Sequence, residues 1–156
     1  MMGVSGAGKT TVGRALADAL GWTFEDADAY HDPASLAKMA GGHGLTDADR
    51  APWLARLRAL LDDRLAHGPP TVLACSALTD AYRDALGADR PGVLLAWLDV
   101  PADTLRQRLA ARTGHVAGPD LLPSQLATLE LPGAALRLDG TRPVNQLVEA
   151  LAERVR

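Results

Sequence analysis

The chain has 156 residues, 47% of them apolar and 22% charged, and a net charge of −3. That content suits a single domain over residues 1–156 with one core, and it excludes both a nucleic-acid binder held by bulk basicity and a disordered chain. No apolar run approaches the roughly 18 residues of a membrane span, no signal peptide is visible, and the single cysteine, Cys75, cannot close an internal disulfide, which fits a cytoplasmic protein.

Only Met1 and Met2 precede a glycine-rich stretch, Gly3-Val-Ser-Gly-Ala-Gly-Lys9-Thr10. It fits the phosphate-loop pattern G-x-x-x-x-G-K-[ST]. Glycines let the backbone curl so that successive N–H groups face phosphate oxygens. The expected nucleotide contacts are Gly3, Ser5, Gly6, Ala7, Gly8, Lys9, Thr10 and Thr11. Lys9 would reach the β/γ-phosphates, and the Thr10 hydroxyl would face Mg²⁺. A helix over Thr10–Leu20 follows, with Val12, Leu16, Ala19 and Leu20 on one face and Gly21 placed to end it; its N-terminus adds positive potential. Such a loop normally follows a buried strand, so the first strand is expected to be short or truncated.

Trp22–Asp26 reads as a strand. Asp26 and Asp28 lie at its C-terminal end, where ligands collect in open α/β sheets. Two residues apart, both carboxylates share a side if the chain stays extended. One would hold the metal's water shell and the other would accept a proton from an attacking hydroxyl; a solvated acidic loop is the alternative. A short helix is expected near 33–40. Beyond a glycine-rich break, Thr46 and Asp49 form a capping box for a long helix with Trp53, Leu54, Leu57, Leu61 and Leu65 as its apolar stripe.

Thr71–Cys75 is an apolar run suited to a buried parallel strand. Then come a helix over 79–86, a strand over 93–98, a helix over 102–112, a glycine- and proline-broken loop over 113–123, a helix over 121–129, a strand over 136–139 and a final helix from Val144. Strands alternating with helices imply an α/β fold with a parallel sheet. Lysine is rare, only Lys9 and Lys38 occurring. Lys38, Arg50 and Arg83 fall where loops meet the same sheet edge and together suit an anionic acceptor, with His31 and His115 as further hydrogen-bonding groups. Arg108 and Arg112, four apart, share a helix face and suit a base and phosphates. No N-K-x-D string favours guanine, so ATP is the expected nucleotide.

The chain resembles bacterial gluconokinases of the P-loop small-kinase type, relatives of shikimate and adenylate kinases. The resemblance rests on GVSGAGKTT, DADAYH at 26–31, AKM at 37–39, LTDADRAPWL at 45–54, CSALTDAYRDAL at 75–86, RLAARTGH at 108–115 and LLPSQLATLELPGA at 121–134. It implies Mg²⁺- and ATP-dependent phosphorylation of D-gluconate at its 6-hydroxyl. It also implies a five-stranded parallel sheet flanked by helices, a mobile lid near 113–123, and often a homodimer. Carried over position by position, Lys9 and Thr10 serve ATP and Mg²⁺. Asp28 is the base and Asp26 supports the metal through water. Arg50, Arg83 and His115 meet the sugar acid, and by analogy with the wider fold Arg108 stacks on adenine and Arg112 grips phosphate. Two alternatives stand beside this: a kinase for shikimate or a related sugar acid, and a nucleotide-binding module without turnover.

Overall fold

A computed structural model describes residues 1–111 and 121–156. In chain order these residues form α1 (Lys9–Leu20), β1 (Thr23–Asp26), a 3-10 turn (Ala27–Tyr30), α2 (Pro33–Ala40), α3 (Asp47–Ala66), β2 (Thr71–Ala74), α4 (Asp80–Leu86), β3 (Ala96–Asp99), α5 (Ala102–Ala110), α6 (Leu121–Thr128), β4 (Leu136–Asp139) and α7 (Val144–Val155).

The four strands form two parallel pairs. Thr23 faces Thr71 in the β1–β2 pair, and Ala96 faces Leu136 in the β3–β4 pair. The N-terminal residues lie between the pairs. Met1 donates its nitrogen to Leu73 O (2.7 Å) and accepts from Cys75 N–H (3.0 Å). Met2 bonds Ala96 O (2.7 Å) and Leu98 N–H (3.0 Å) on the other side. The expected short first strand is thus one parallel bridge, Met2 to Trp97, with backbone bonds to both neighbours.

Side chains alternate across this sheet, as the pleat requires. Val72, Ala96 and Leu98 face a cluster with Val12 and Leu16 of α1, Leu105 and Leu109 of α5 and Leu147 and Leu151 of α7. Trp97 faces the other way, into a cluster with Met2, Trp53, Leu54 and Leu57 of α3 and Leu86 of α4. The result is a layered α/β/α arrangement. Gly13 lets α1 approach β1: a Cβ there would lie 2.8 Å from Phe24 Cε2.

Local signals account for the helix ends. Gly21 and Gly87 close α1 and α4 in left-handed conformations. The Thr46–Asp49 capping box forms in full. Three expectations shift. Leu65 is 44% exposed, so the buried stripe of α3 is Trp53, Leu54 and Leu57. β3 starts at Ala96, because Val93 closes a turn onto Arg90 O through Pro91-Gly92. The segment from 113 to 123 is divided, since Leu121, Leu122 and Pro123 open α6.

Candidate active site

The parallel strands put the C-terminal ends of β1, β2 and β3 on one edge, and the phosphate loop leaves Met2 at that edge. Gly3, Gly6 and Gly8 have φ of 147°, 84° and 99°, values that favour glycine. Gly8 is the N-cap of α1 and provides no side-chain cap, and the first turn has no acidic residue. The helices α2, α3 and α4 are capped instead by Asp32, Thr46 and Thr79 side chains. The α1 N-terminus, like those of α5 and α7, has no side-chain oxygen on its N–H groups; beside the glycine-rich loop this suits a phosphate.

Side chains brace the loop from within and without. Lys9 Nζ donates to Gly3 O (2.9 Å) and Val4 O (3.0 Å). Arg108, from α5, donates to Ala7 O (3.3 Å), Gly6 O (3.5 Å) and Gly140 O (2.8 Å). Its guanidinium ties the outside of the loop to the turn after β4. Ser5 N–H is bonded by Gln125 Oε1 (2.6 Å).

Thr10 Oγ1 donates to Asp26 Oδ2 at 3.1 Å. A hydroxyl at the start of α1 and a carboxylate at the end of β1 are therefore already side by side, a hard-oxygen pair of the kind that Mg²⁺ takes directly or through water. Asp26 Oδ1 accepts from Asp28 N–H (3.2 Å) and caps the 3-10 turn. Asp28 itself is exposed on that turn. The turn is fastened from beneath by α3: Trp53 Nε1 donates to the buried Ala27 O (2.7 Å), and Arg56 Nε donates to Tyr30 O (2.9 Å). Sequence reading took Trp53 for a core residue only. Its indole also fixes the height of the Asp28 turn, and the ring supports His31, stacked at 4.6 Å between centroids. Burial lowers the His31 pKa from its usual 6.5, against the raising effect of Asp28 and Asp32. Its Nδ1 is buried without a protein partner.

The remaining acceptor-side cations have internal partners. Lys38 pairs with Asp49 (2.6 Å). The Lys38 hydrogen bond and the Thr46 cap pull the Asp49 pKa down to about 2. Arg50 bonds Tyr82 OH (3.0 Å), which in turn donates to Asp47 (2.6 Å). Arg83 is buried, 5% exposed, and donates to Ala77 O (2.9 Å), Glu130 O (3.0 Å) and the Asp80 carboxylate. Ala77 follows β2 with φ 45°, an uncommon value for a residue with a Cβ. The Arg83 bond helps to hold that conformation. Cys75, buried at the end of β2, has its thiol pushed up to about 11 by burial and so is no nucleophile.

The phosphate loop, Asp26, Asp28, His31 and Arg108 are thus gathered at the sheet edge, while Lys38, Arg50 and Arg83 come from α2, α3 and α4. Arg112 and His115 lie outside the described residues, as do residues 113–120 of the expected lid. Sequence reasoning passed over Gln125, Tyr82, Trp53 and Glu130. All four lie within the segments that carry the family resemblance, but each acts by contact with residues far along the chain.

The family model described as an AAA domain matches residues 1–132. A gluconokinase of Gluconobacter oxydans is 46% identical over 154 residues, covering 97% of this chain and 86% of the relative. Among solved structures, a sugar kinase from a Janibacter species superposes with a TM-score of 0.88 at 44% identity, covering 97% of this chain and 90% of that one. A gluconokinase from Sinorhizobium meliloti does so with a TM-score of 0.77 at 38% identity, covering 99% and 92%. With a phosphate loop, an adjoining Thr–Asp pair and an exposed carboxylate on one sheet edge, and with likeness at this level along nearly the whole chain, the protein belongs to the gluconokinase family of P-loop kinases.

Proposed function

We propose that the protein phosphorylates D-gluconate at its 6-hydroxyl, using ATP and Mg²⁺. The observation that carries the reading is the Thr10–Asp26 contact of 3.1 Å. Two hard oxygens lie side by side at the start of α1, with Asp28 on the next turn, which supports a metal site there. The N–H groups of Gly6 and of Gly8 to Thr11 would hold the nucleotide phosphates, and Lys9 would turn from its loop carbonyls to the transferring charge. Thr10 would hold Mg²⁺ directly and Asp26 would hold it through water, and the ion would supply neutralisation of the phosphate charge. Asp28 accepts the proton of the attacking hydroxyl.

Lys38, Arg50 and Arg83 supply the positive potential for the sugar acid, with His31 and His115 as hydrogen-bonding partners. Arg108 and Arg112 serve the nucleotide. Residues 113–123 act as a lid, a role that rests on the family resemblance and is tested by limited proteolysis with and without nucleotide. The same resemblance supports a cytoplasmic homodimer, tested by light scattering on the purified protein.

The decisive assay is ADP release from Mg²⁺-ATP with gluconate, related sugar acids, shikimate or no acceptor. Release that depends on gluconate is the expected result. Turnover with shikimate alone would move the substrate and keep the kinase. Binding of ATP with no turnover of any acceptor would overturn the catalytic reading.

A further inference from the structure

Helix α6 carries Leu122 and Leu126 toward the core, with Leu129 just past its end, Leu122 being only 2% exposed. Gln125 is three residues after Leu122 and so falls on the inward side of the helix. A carboxamide there needs a partner, and the one it has is Ser5 N–H, 2.6 Å from Oε1. This bond crosses 120 residues of sequence and reaches a backbone donor of the phosphate loop.

The far end of the same segment is tied to the acceptor side. Glu130 N–H donates to Leu78 O (2.9 Å), its carbonyl accepts from Arg83 (3.0 Å), and its carboxylate accepts from Asp80 N–H (2.5 Å) at the start of α4. The segment from Gln125 to Glu130 therefore spans from the loop that holds phosphate to the helix that carries Arg83. Arg108 grips loop carbonyls from α5, whereas Gln125 takes a loop N–H, and the two fix opposite backbone polarities of the same loop.

We propose that Gln125 is a positioning residue for phosphoryl transfer: by holding Ser5 N–H it sets the phosphate loop in register with the acceptor-side elements that Glu130 anchors. ADP depends chiefly on the N–H groups nearer the start of α1. Loss of the Gln125 bond therefore impairs transfer more than it impairs ADP binding.

The inference rests on the kinase reading, so its test needs one readout that requires no turnover. The variants are Gln125→Leu, apolar and with no acceptor, and Gln125→Glu, which matches the shape of Gln and keeps an acceptor oxygen beside the phosphates. In nucleotide-free protein, Gln125→Leu should raise the hydrogen-exchange rate of the Ser5 amide about tenfold, the order expected for one lost hydrogen bond. Its kcat with gluconate should fall by about tenfold or more, since small misplacements cost this much, while the ADP Kd and the unfolding temperature hold. Gln125→Glu should recover most of that kcat and raise the KM for ATP through repulsion of the phosphates. An unchanged Ser5 amide, or equal kcat losses in the two variants, would overturn the proposal. So would a kcat loss in Gln125→Leu matched by an equal loss of ADP binding. Wild-type protein that binds ADP without turning over any acceptor would instead overturn the kinase reading, and the exchange result would still decide the Gln125 contact.

Discussion

The two halves of the site are held in different ways. On the phosphate side the partners are backbone groups: Lys9 on Gly3 and Val4 carbonyls, Arg108 on Gly6, Ala7 and Gly140 carbonyls, Gln125 on Ser5 N–H. On the acceptor side, charged side chains mostly meet other side chains: Lys38 with Asp49, Arg50 with Tyr82 and Asp47, Arg83 with Asp80. A backbone-held loop is set in shape before its ligand arrives. The acceptor-side chains balance one another's charge, and a sugar acid bound there as proposed would compete with Asp49 and Asp47 for Lys38 and Arg50. Exposed ion pairs are weak, so that exchange costs little at Lys38 and Arg50. Arg83 differs, because it is buried and two of its three acceptors are carbonyls.

The sharpest way to separate the halves is to remove chemistry while leaving binding intact. Asp28→Asn keeps the turn, because Asp26 caps it through the residue 28 backbone N–H and not through the side chain. Turnover should fall by about 10²–10⁴-fold, the usual range for a general base, with ATP affinity unchanged by calorimetry. Near-normal turnover would remove Asp28 from the mechanism.

Arg83→Ala should break the acceptor half as structure as well as site. Two carbonyls lose their donor, at a cost of about 1–3 kcal/mol each where water cannot replace it. The unfolding temperature should drop, and the KM for gluconate should rise more than that for ATP. Lys38→Ala provides the contrast: its pair with Asp49 is only half-buried, so thermal unfolding should move less than in Arg83→Ala, while the gluconate KM still rises. If the Lys38 and Arg83 variants were equally stable, the distinction between an exchangeable and a fixed cation would fail.

A fourth variant tests the scaffold beneath the phosphate half. In an open helix, Gly→Ala stabilises by up to about 1 kcal/mol. At Gly13 the new Cβ would meet the Phe24 ring at 2.8 Å, and overpacking of this kind costs about 1–3 kcal/mol. The net expectation is a lower unfolding midpoint in denaturant. A gain in stability would show that Phe24 can yield and that the α1–β1 contact is not close-packed.

The phosphate half was legible because its signals are local. Three glycines with positive φ, a lysine and a threonine lie within eight residues, the helix follows directly, and chain-neighbour chemistry dictates their shape. The helix caps at Thr46 and Gly21 were legible for the same reason. The acceptor half was legible only in its residue types. Nothing near Arg83 in sequence says that Glu130 lends it a carbonyl, and nothing near Trp53 says that its indole reaches Ala27. Those contacts depend on how α3, α4 and α6 pack, which periodicity does not encode. The displaced start of β3 has a local cause: Pro91-Gly92 makes a turn where apolar content alone suggested a strand.

The smallest expected effect is a pH dependence located in the acceptor half. His31 lies against Trp53 with its Nδ1 buried and unpartnered, so a protonated ring would carry an N–H with no acceptor. Burial lowers its pKa below 6.5; Arg50 and Arg56 add to the lowering, while Asp28 and Asp32 oppose it. The unfolded chain therefore takes up a proton at higher pH than the folded one does. Stability is complete above the unfolded value near 6.5 and declines as pH falls through the folded value. Comparison with His31→Phe, which keeps the stack on Trp53, isolates this group from the other histidines. The difference in unfolding free energy between wild type and variant should change with the sign of a wild-type loss on going from pH 7.5 to pH 5. A difference that is flat with pH would mean that the ring finds an acceptor, and that the pocket under the Asp28 turn can rearrange around a charged histidine.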